Sequence, residues 1–180
     1  MRVIAGSAKG TRLAPVPPGT RPLSDRAREG LFSSLGERVV GASVLDLFAG
    51  TGAVGIEALS RGASEATFVD RAPAAVSTIR HNLQRTKLDA RASVLRANWA
   101  AFLGRPAEAH DLVFLDPPYT LPGPELGRVL GSLDQGWLAR GCTVALTRPR
   151  RDYTDVISVN WQVARRLEYG DTLVVLYREV

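Results

Sequence analysis

The sequence is poor in the residues that form covalent or metal cross-links. Its 180 residues include one cysteine, Cys142, and two histidines, His81 and His110, which lie far apart. One cysteine cannot form an internal disulfide, and there is no cluster of cysteine and histidine with the spacing of metal ligands. We therefore predict no metal site, a reducing cytoplasmic location, and surface positions for both histidines.

Long apolar runs are also missing. No run approaches the roughly 18 residues of a membrane-spanning helix, and the first six residues are too polar for a signal peptide. We therefore expect no membrane contact. The length predicts one core of ordinary size, and we expect a monomer.

The positive charge is concentrated near the N-terminus. Residues 1–40 hold seven arginine and lysine side chains against three acidic ones, whereas the remaining residues hold 16 against 15. Such a segment attracts a polyanion such as nucleic acid. An alternative is a solvated basic helix, in which Arg26 and Glu29 form a surface ion pair. The predicted contacts to the phosphates of a nucleic acid are Lys9, Arg12, Arg21, Arg26 and Arg28.

The order of apolar segments predicts an α/β protein with a doubly wound, mostly parallel sheet. Short apolar strands alternate with helical patterns from residue 44 onward, which is typical of that architecture. Two segments around the Gly170-Asp171 turn predict a terminal antiparallel hairpin. Before the sheet, residues 2–5 and 11–14 predict a small hairpin, and Ser24 can cap a helix that ends near Leu35. We divide the chain into an extension, 1–40, and a main domain, 41–180.

The most informative motif is the Asp-Pro-Pro-Tyr sequence at 116–119, directly after an apolar strand. Open α/β sheets bind ligands at the carboxyl ends of their strands, where Asp116 is expected. Pro117 and Pro118 have no backbone N–H, so nearby carbonyls remain free to accept hydrogen bonds. Tyr119 offers a flat ring on which a base can stack. These four residues form the predicted catalytic site for a planar substrate with an exocyclic amine; the alternative is a proline-rich turn with Tyr119 in packing.

A second motif surrounds three glycines, Gly50, Gly52 and Gly55, whose spacing also occurs in dinucleotide sites. Asp46 argues against a dinucleotide, because its carboxylate would repel a pyrophosphate. S-adenosylmethionine has no phosphate and carries an ammonium and a sulfonium, so an acid suits it. Asp70 follows at the distance expected for an acid that binds a ribose diol. The predicted cofactor contacts are Asp46, Phe48, Ala49, Gly50, Thr51, Gly52, Asp70, Arg71, Asn98 and Trp99.

The last two of these contacts have competing interpretations. Asn98 can hydrogen-bond an adenine, or it can cap the short helix that follows. Trp99 more often belongs to a core than to a cofactor site.

Residues 46–52 and 116–119 resemble motifs I and IV of class I methyltransferases that act on amino groups. Residues 2–6, 9–13 and 21–32 resemble the RsmD family, bacterial methyltransferases of guanine N2 in small-subunit ribosomal RNA. This resemblance covers nearly the whole chain and implies a seven-stranded Rossmann-like sheet with S-adenosylmethionine as methyl donor. It also implies one guanine of 16S rRNA as the target, in the small subunit or an assembly intermediate. Some relatives have phenylalanine where this chain has Tyr119.

Three other functions remain open from the residues alone. A DNA adenine or cytosine amino-methyltransferase shares the chemistry, although 180 residues leave little room for a target-recognition region. A protein glutamine methyltransferase typically has asparagine at position 116. A non-catalytic nucleic-acid-binding module on the same scaffold would not bind S-adenosylmethionine.

Overall fold

The computed structural model of the protein describes residues 1–16, 21–152 and 161–179. Seven strands form one sheet in the order β3-β2-β1-β4-β5-β7-β6, in which β7 runs antiparallel to both of its neighbours. The predicted α/β architecture and the terminal hairpin are confirmed. The elements are α1 (Asp25–Leu35), β1 (Ser43–Leu47), α2 (Ala53–Ser60), β2 (Glu65–Asp70), α3 (Pro73–Thr86), β3 (Ala92–Arg96), α4 (Trp99–Leu103), β4 (His110–Leu115), α5 (Gly123–Leu133), β5 (Leu138–Pro149), β6 (Trp161–Tyr169) and β7 (Thr172–Glu179).

Local signals account for several of these boundaries. The Ser24 hydroxyl accepts a hydrogen bond from the Ala27 N–H at 3.1 Å, which caps α1 as predicted. Pro73 stands in the first turn of α3, where its missing N–H costs nothing. Strand β5 is longer than its apolar run, residues 143–146, because β7 pairs with it as far as Pro149.

Each face of the sheet is covered by its own hydrophobic cluster. Helices α1, α2 and α3 pack against the face that carries Phe68 and Phe114. Helices α4 and α5 pack against the opposite face, which carries Leu45, Leu47 and Leu115. Because successive side chains of a strand point to opposite faces, β1 alternates between the two clusters and is buried on both sides.

The first 14 residues are held against α2 rather than paired as a regular hairpin. One antiparallel bridge, Arg2 with Arg12, stands where two strands were predicted. The buried Glu57 carboxylate accepts hydrogen bonds from the backbone of residues 4 and 5. Ser60 accepts from the Ala8 N–H at 2.9 Å and donates to the Ala5 carbonyl. The predicted extension therefore shares one hydrophobic cluster with the sheet.

The prediction that both histidines lie at the surface is wrong for His110. Its side chain is buried, its ring stacks on Trp137, and Nδ1 lies 3.1 Å from the Ser43 hydroxyl. A neutral imidazole suits such a place, because burial lowers the pKa of His110. His81 is exposed, as predicted.

No helix in the described ranges is both long and apolar enough to cross a membrane.

Candidate active site

The carboxylates of Asp46, Asp70 and Asp116 lie near one another where β1, β2 and β4 end. In the sheet register, Leu47 of β1 lies between Val69 of β2 and Leu115 of β4. Asp70 is the last residue of β2 and Asp116 directly follows β4, so the two acids flank the end of β1 at the same level. Asp46 pairs with Phe68 and Phe114, each two residues before one of these acids. Since side chains alternate along a strand, all three acids belong to the face covered by α2 and α3.

The chain leaves β1 through a turn with three left-handed residues. The φ angles are 67° at Phe48, 57° at Gly50 and 78° at Gly52. Glycine adopts such angles readily, whereas a phenylalanine there is strained. The turn is fixed to β2, because the Ala49 N–H donates to the Val69 carbonyl at 3.0 Å. This strain at the end of β1 is typical of a site where the backbone approaches a ligand.

Asp46 connects β1 to the first turn of α2. Its Oδ2 accepts a hydrogen bond from the Gly55 N–H at 3.0 Å. Glycine is required at 55, because a Cβ there would lie 2.4 Å from a carbon of the Phe68 ring. Burial raises the pKa of Asp46 well above its ordinary value, and although the Gly55 hydrogen bond lowers it, the charges of Asp116 and Asp70 raise it further.

Asp70 is held by the backbone but is only half-buried. Its Oδ2 accepts from the Gly50 N–H and its Oδ1 from the Ala72 N–H, both at 2.9 Å. These bonds fix the carboxylate beside the glycine turn, and each oxygen keeps a second lone pair. Asp70 can therefore accept a further hydrogen bond from a ligand.

A compact organic cation with hydroxyl groups fits this arrangement. Asp46 and Asp70 place two like charges near each other, beside a turn whose glycines let a ligand approach the backbone closely. A bound positive charge would relieve that repulsion, whereas a phosphate would add to it. Among the residues that the structure describes, no group of three His, Cys, Asp or Glu side chains could hold a metal ion.

The Asp-Pro-Pro-Tyr loop continues directly from β4. Asp116 is half-buried, and burial raises its pKa to about 7 although the nearby Arg148 lowers it. Pro117 is buried, and the Pro118 carbonyl accepts a hydrogen bond from the Leu121 N–H at 2.9 Å. The Tyr119 side chain is 41% exposed, so one large ring stands at the surface beside the carboxylates.

The family described as Conserved hypothetical protein 95 matches residues 1–178. Ribosomal RNA small subunit methyltransferase D of Escherichia coli K12 is 36% identical over 181 residues, which covers 99% of this chain and 89% of that protein. The chain belongs to the RsmD family. The solved structure of a putative methyltransferase, yhhF, from Escherichia coli has a TM-score of 0.89 at 34% identity and covers 99% of this chain and 97% of that one. A putative methylase from Haemophilus influenzae has a TM-score of 0.81 at 29% identity, over 100% and 98% of the two chains.

Three further predicted cofactor residues of this RsmD-family chain have side chains that already bind protein groups. The Asn98 side chain accepts from the Ala101 N–H at 2.7 Å, so it caps α4 as the alternative interpretation proposed. Trp99 packs against the second hydrophobic cluster and donates to Glu125 at 3.1 Å, which favours the core interpretation. Thr51 is buried and accepts from the Ala53 N–H. Arg71 is exposed at the start of the loop after β2.

Four of the five predicted RNA contacts are accessible, but Arg28 is not. Lys9, Arg12, Arg21 and Arg26 are all exposed. The Arg28 side chain is 0% exposed, donates to the Arg2 carbonyl, and forms an ion pair with Asp25 at 3.1 Å. Its placement on the RNA surface is therefore wrong. No ion pair joins Arg26 to Glu29 in the described part of the chain.

Another basic surface lies between α3 and β3. A cleft of about 460 Å³ there is lined by Arg80, His81 and Arg96 together with neutral residues of α3. No acidic side chain lines it. Charge counting along the sequence missed this surface, because acidic residues elsewhere balance the total after residue 40.

Sequence reasoning also missed Arg148, near the end of β5. Its side chain is only 7% exposed, and its guanidinium donates to the carbonyls of Pro118 and Leu121, both at 3.4 Å. The sequence feature that could have identified Arg148 is its position two residues after the apolar run 143–146. That position places a charged residue near the carboxyl end of β5, where the site lies.

Proposed function

We propose that this RsmD-family protein methylates the N2 amine of one guanine in 16S ribosomal RNA. Family membership makes the chain an S-adenosylmethionine-dependent methyltransferase of ribosomal RNA. The choice of guanine N2, and of the small subunit or an assembly intermediate as substrate, belongs to the proposal. The observation that carries it is the Asp116–Tyr119 loop beside Asp46 and Asp70 at one sheet edge.

The chain offers distinct groups for the two ends of S-adenosylmethionine. When bound, this cofactor supplies a methyl group that is electrophilic because it sits on a sulfonium. Asp46 and the glycine turn would hold the positively charged methionine end. Asp70 would accept hydrogen bonds from the ribose hydroxyls. The Asn98 side chain already caps α4, and the Trp99 side chain is already packed and hydrogen-bonded. These two residues would therefore contact the adenine only through their backbone or through apolar atoms.

Acceptors for the two hydrogens of an amine lie in the loop after β4. A carboxylate oxygen of Asp116 can accept one hydrogen, and the Pro117 carbonyl can accept the other. The Pro118 carbonyl is taken by Leu121 and Arg148, whereas no hydrogen bond among the described residues ends on Pro117. Two such acceptors favour the pyramidal, electron-rich nitrogen needed for attack. With a pKa of about 7, Asp116 can also hold the proton that the amine loses.

The surface of the chain suits a structured RNA. The exposed Tyr119 ring can stack on an unpaired or flipped base, which is worth roughly 1–3 kcal/mol. Exposed Arg12 and Arg26, together with the cleft between α3 and β3, supply cations for phosphates. A monomer in the cytoplasm stays our expectation for the working enzyme.

Methyl transfer with labelled S-adenosylmethionine tests the proposal. The substrates are small subunits that lack the modification, free 16S rRNA, and DNA, followed by nucleoside analysis. We expect N2-methylguanosine in ribosomal RNA. N6-methyladenosine as the product would overturn the choice of guanine, and label in DNA alone would replace the substrate.

Substitution of the proposed acceptor separates catalysis from binding. Asp116→Ala should abolish turnover while calorimetry shows little change in S-adenosylmethionine affinity. Near-normal turnover of this variant would remove Asp116 from the catalytic role. Absence of any cofactor binding by the unmodified protein would instead favour a non-catalytic nucleic-acid-binding module.

A further inference from the structure

Arg148 is a buried cation that the proposed chemistry has not used. It lies near the carboxyl end of β5, the strand next to β4, and only 7% of its side chain is exposed. A buried guanidinium is costly unless hydrogen bonds and an opposite charge compensate it. What surrounds this side chain therefore indicates why it is there.

The hydrogen bonds of Arg148 go to the catalytic loop. One terminal nitrogen donates to the Pro118 carbonyl and the other to the Leu121 carbonyl, both at 3.4 Å. The Leu121 N–H donates to the same Pro118 carbonyl at 2.9 Å. Together these bonds tie both ends of the turn 118–121 to β5. The Pro118 carbonyl is thereby occupied, and the Pro117 carbonyl is left for the substrate amine.

The acid whose ionisation Arg148 favours is Asp116. The charged groups around Asp116 come from three strands: Arg148 from β5, Asp46 from β1, and Asp70 from β2 through its effect on Asp46. The two acids oppose ionisation of the cluster, and Arg148 is the nearby cation that favours it. Burial alone would keep Asp116 protonated, and Arg148 lowers its pKa against that effect.

We propose that Arg148 is a positioning residue of the methyl-transfer site, which holds the 118–121 turn through two carbonyls and places a positive charge near the Asp116 carboxylate. The inference rests on the proposed function, because it assigns a purpose to the state of the Asp116 carboxylate. Two separable contributions follow: the donors of Arg148 shape the loop, and its charge favours the carboxylate.

Three substitutions at one position separate these contributions. Arg148→Met removes both charge and donors, Arg148→Gln keeps a donor without charge, and Arg148→Lys keeps the charge without the paired donors. For each, kcat is measured from pH 5.5 to 9 with saturating cofactor and substrate. KM, S-adenosylmethionine affinity and thermal unfolding are recorded alongside. Arg128→Met, which removes an exposed arginine of α5, is the matched control.

We expect the acidic limb of the kcat profile to move to higher pH in the Met and Gln variants. Loss of a neighbouring cation raises the pKa of a carboxyl by roughly 1–3 units, so kcat at pH 7 should fall about fivefold or more. It should rise again toward pH 9 without reaching the value of the unmodified protein, because donors to the loop are lost as well. Arg148→Lys should keep the acidic limb in place and lower kcat by the same factor at every pH. Cofactor affinity and the Arg128→Met profile should match those of the unmodified protein.

Several outcomes overturn the inference. Unchanged kcat in folded Arg148→Met refutes it outright, and a lowered kcat with an unmoved acidic limb refutes the role of the charge. If Arg148→Met does not fold, the Gln and Lys variants decide, since equal profiles for those two also refute that role. Failure of the proposed function is distinguishable, because the unmodified protein would then transfer no methyl group to guanine at any pH.

Discussion

Replacing Asp116 with asparagine should stabilise the protein while removing its proposed activity. Burial raises the pKa of Asp116 from 3.8 to about 7 in the folded protein. An acid with a raised folded pKa lowers stability above its unfolded pKa, because the folded state gives up the proton less readily than the unfolded chain. The cost begins near pH 4, grows up to about pH 7, and is constant above that.

The pKa shift sets an upper limit for this effect. A shift from 3.8 to about 7 corresponds to about 4 kcal/mol at 1.36 kcal/mol per unit. Part of the Asp116 side chain stays accessible to water, which reduces the figure, so we expect about 2 kcal/mol at pH 8. For a protein of this size, that corresponds to a rise in Tm of roughly 4–8 °C.

Urea unfolding of the unmodified protein and Asp116→Asn at pH 5, 6, 7, 8 and 9 measures the effect. The stability advantage of the variant should grow from pH 5 to about pH 7 and then level off. Asp89→Asn, at an exposed position, controls for the change of an acid to its amide. An advantage for Asp116→Asn that is the same at every pH would show that burial does not raise this pKa.

Three further variants test the packing of α2 on the sheet, the attachment of the N-terminal segment, and the charge of the proposed RNA surface. Gly55→Ala should cost about 1–3 kcal/mol in urea unfolding, because its Cβ would lie 2.4 Å from a ring carbon of Phe68. Glu57→Gln should cost about 1–3 kcal/mol and speed amide exchange in residues 4 and 5, since a buried charged acceptor is lost. Reversing Arg12 and Arg26 to glutamate should weaken RNA binding and lower its salt slope by roughly one for each phosphate contact.

Controls for these three lie elsewhere on the chain. Gly131→Ala places a Cβ on α5 with no atom within 4 Å, so it should be neutral or slightly stabilising. Glu37→Gln, at an exposed position, controls for the loss of charge at Glu57. Arg140→Glu reverses an exposed charge near the start of β5, at the opposite sheet edge. RNA binding that stays unchanged on reversal of Arg12 and Arg26 would remove the N-terminal segment from the interface.

Arg28 and His110 were predicted to lie at the surface and are buried, for the same reason. Arg28 was assigned to the surface by its charge, yet it lies three and seven residues before Leu31 and Leu35 and so shares their buried helix face. His110 is the first residue of the apolar strand β4, and its pairing with β5 places it in the core. In both, the position along a helix or strand decided burial against the polarity of the residue.

The sequence by itself determined the order of elements, the glycine turn and the Asp-Pro-Pro-Tyr loop, because these depend on local periodicity and on what glycine and proline permit. Only the tertiary structure brought Asp46, Asp70 and Asp116 to one face of one edge, since that depends on which strands are neighbours and in which register. It also placed Arg148 against the loop after β4 and Glu57 beneath the N-terminal segment. These contacts join residues that are distant in sequence, so no local sequence pattern predicts them. The electrostatic state of the site follows from that assembly, because burial and neighbouring charges set the pKa of each acid.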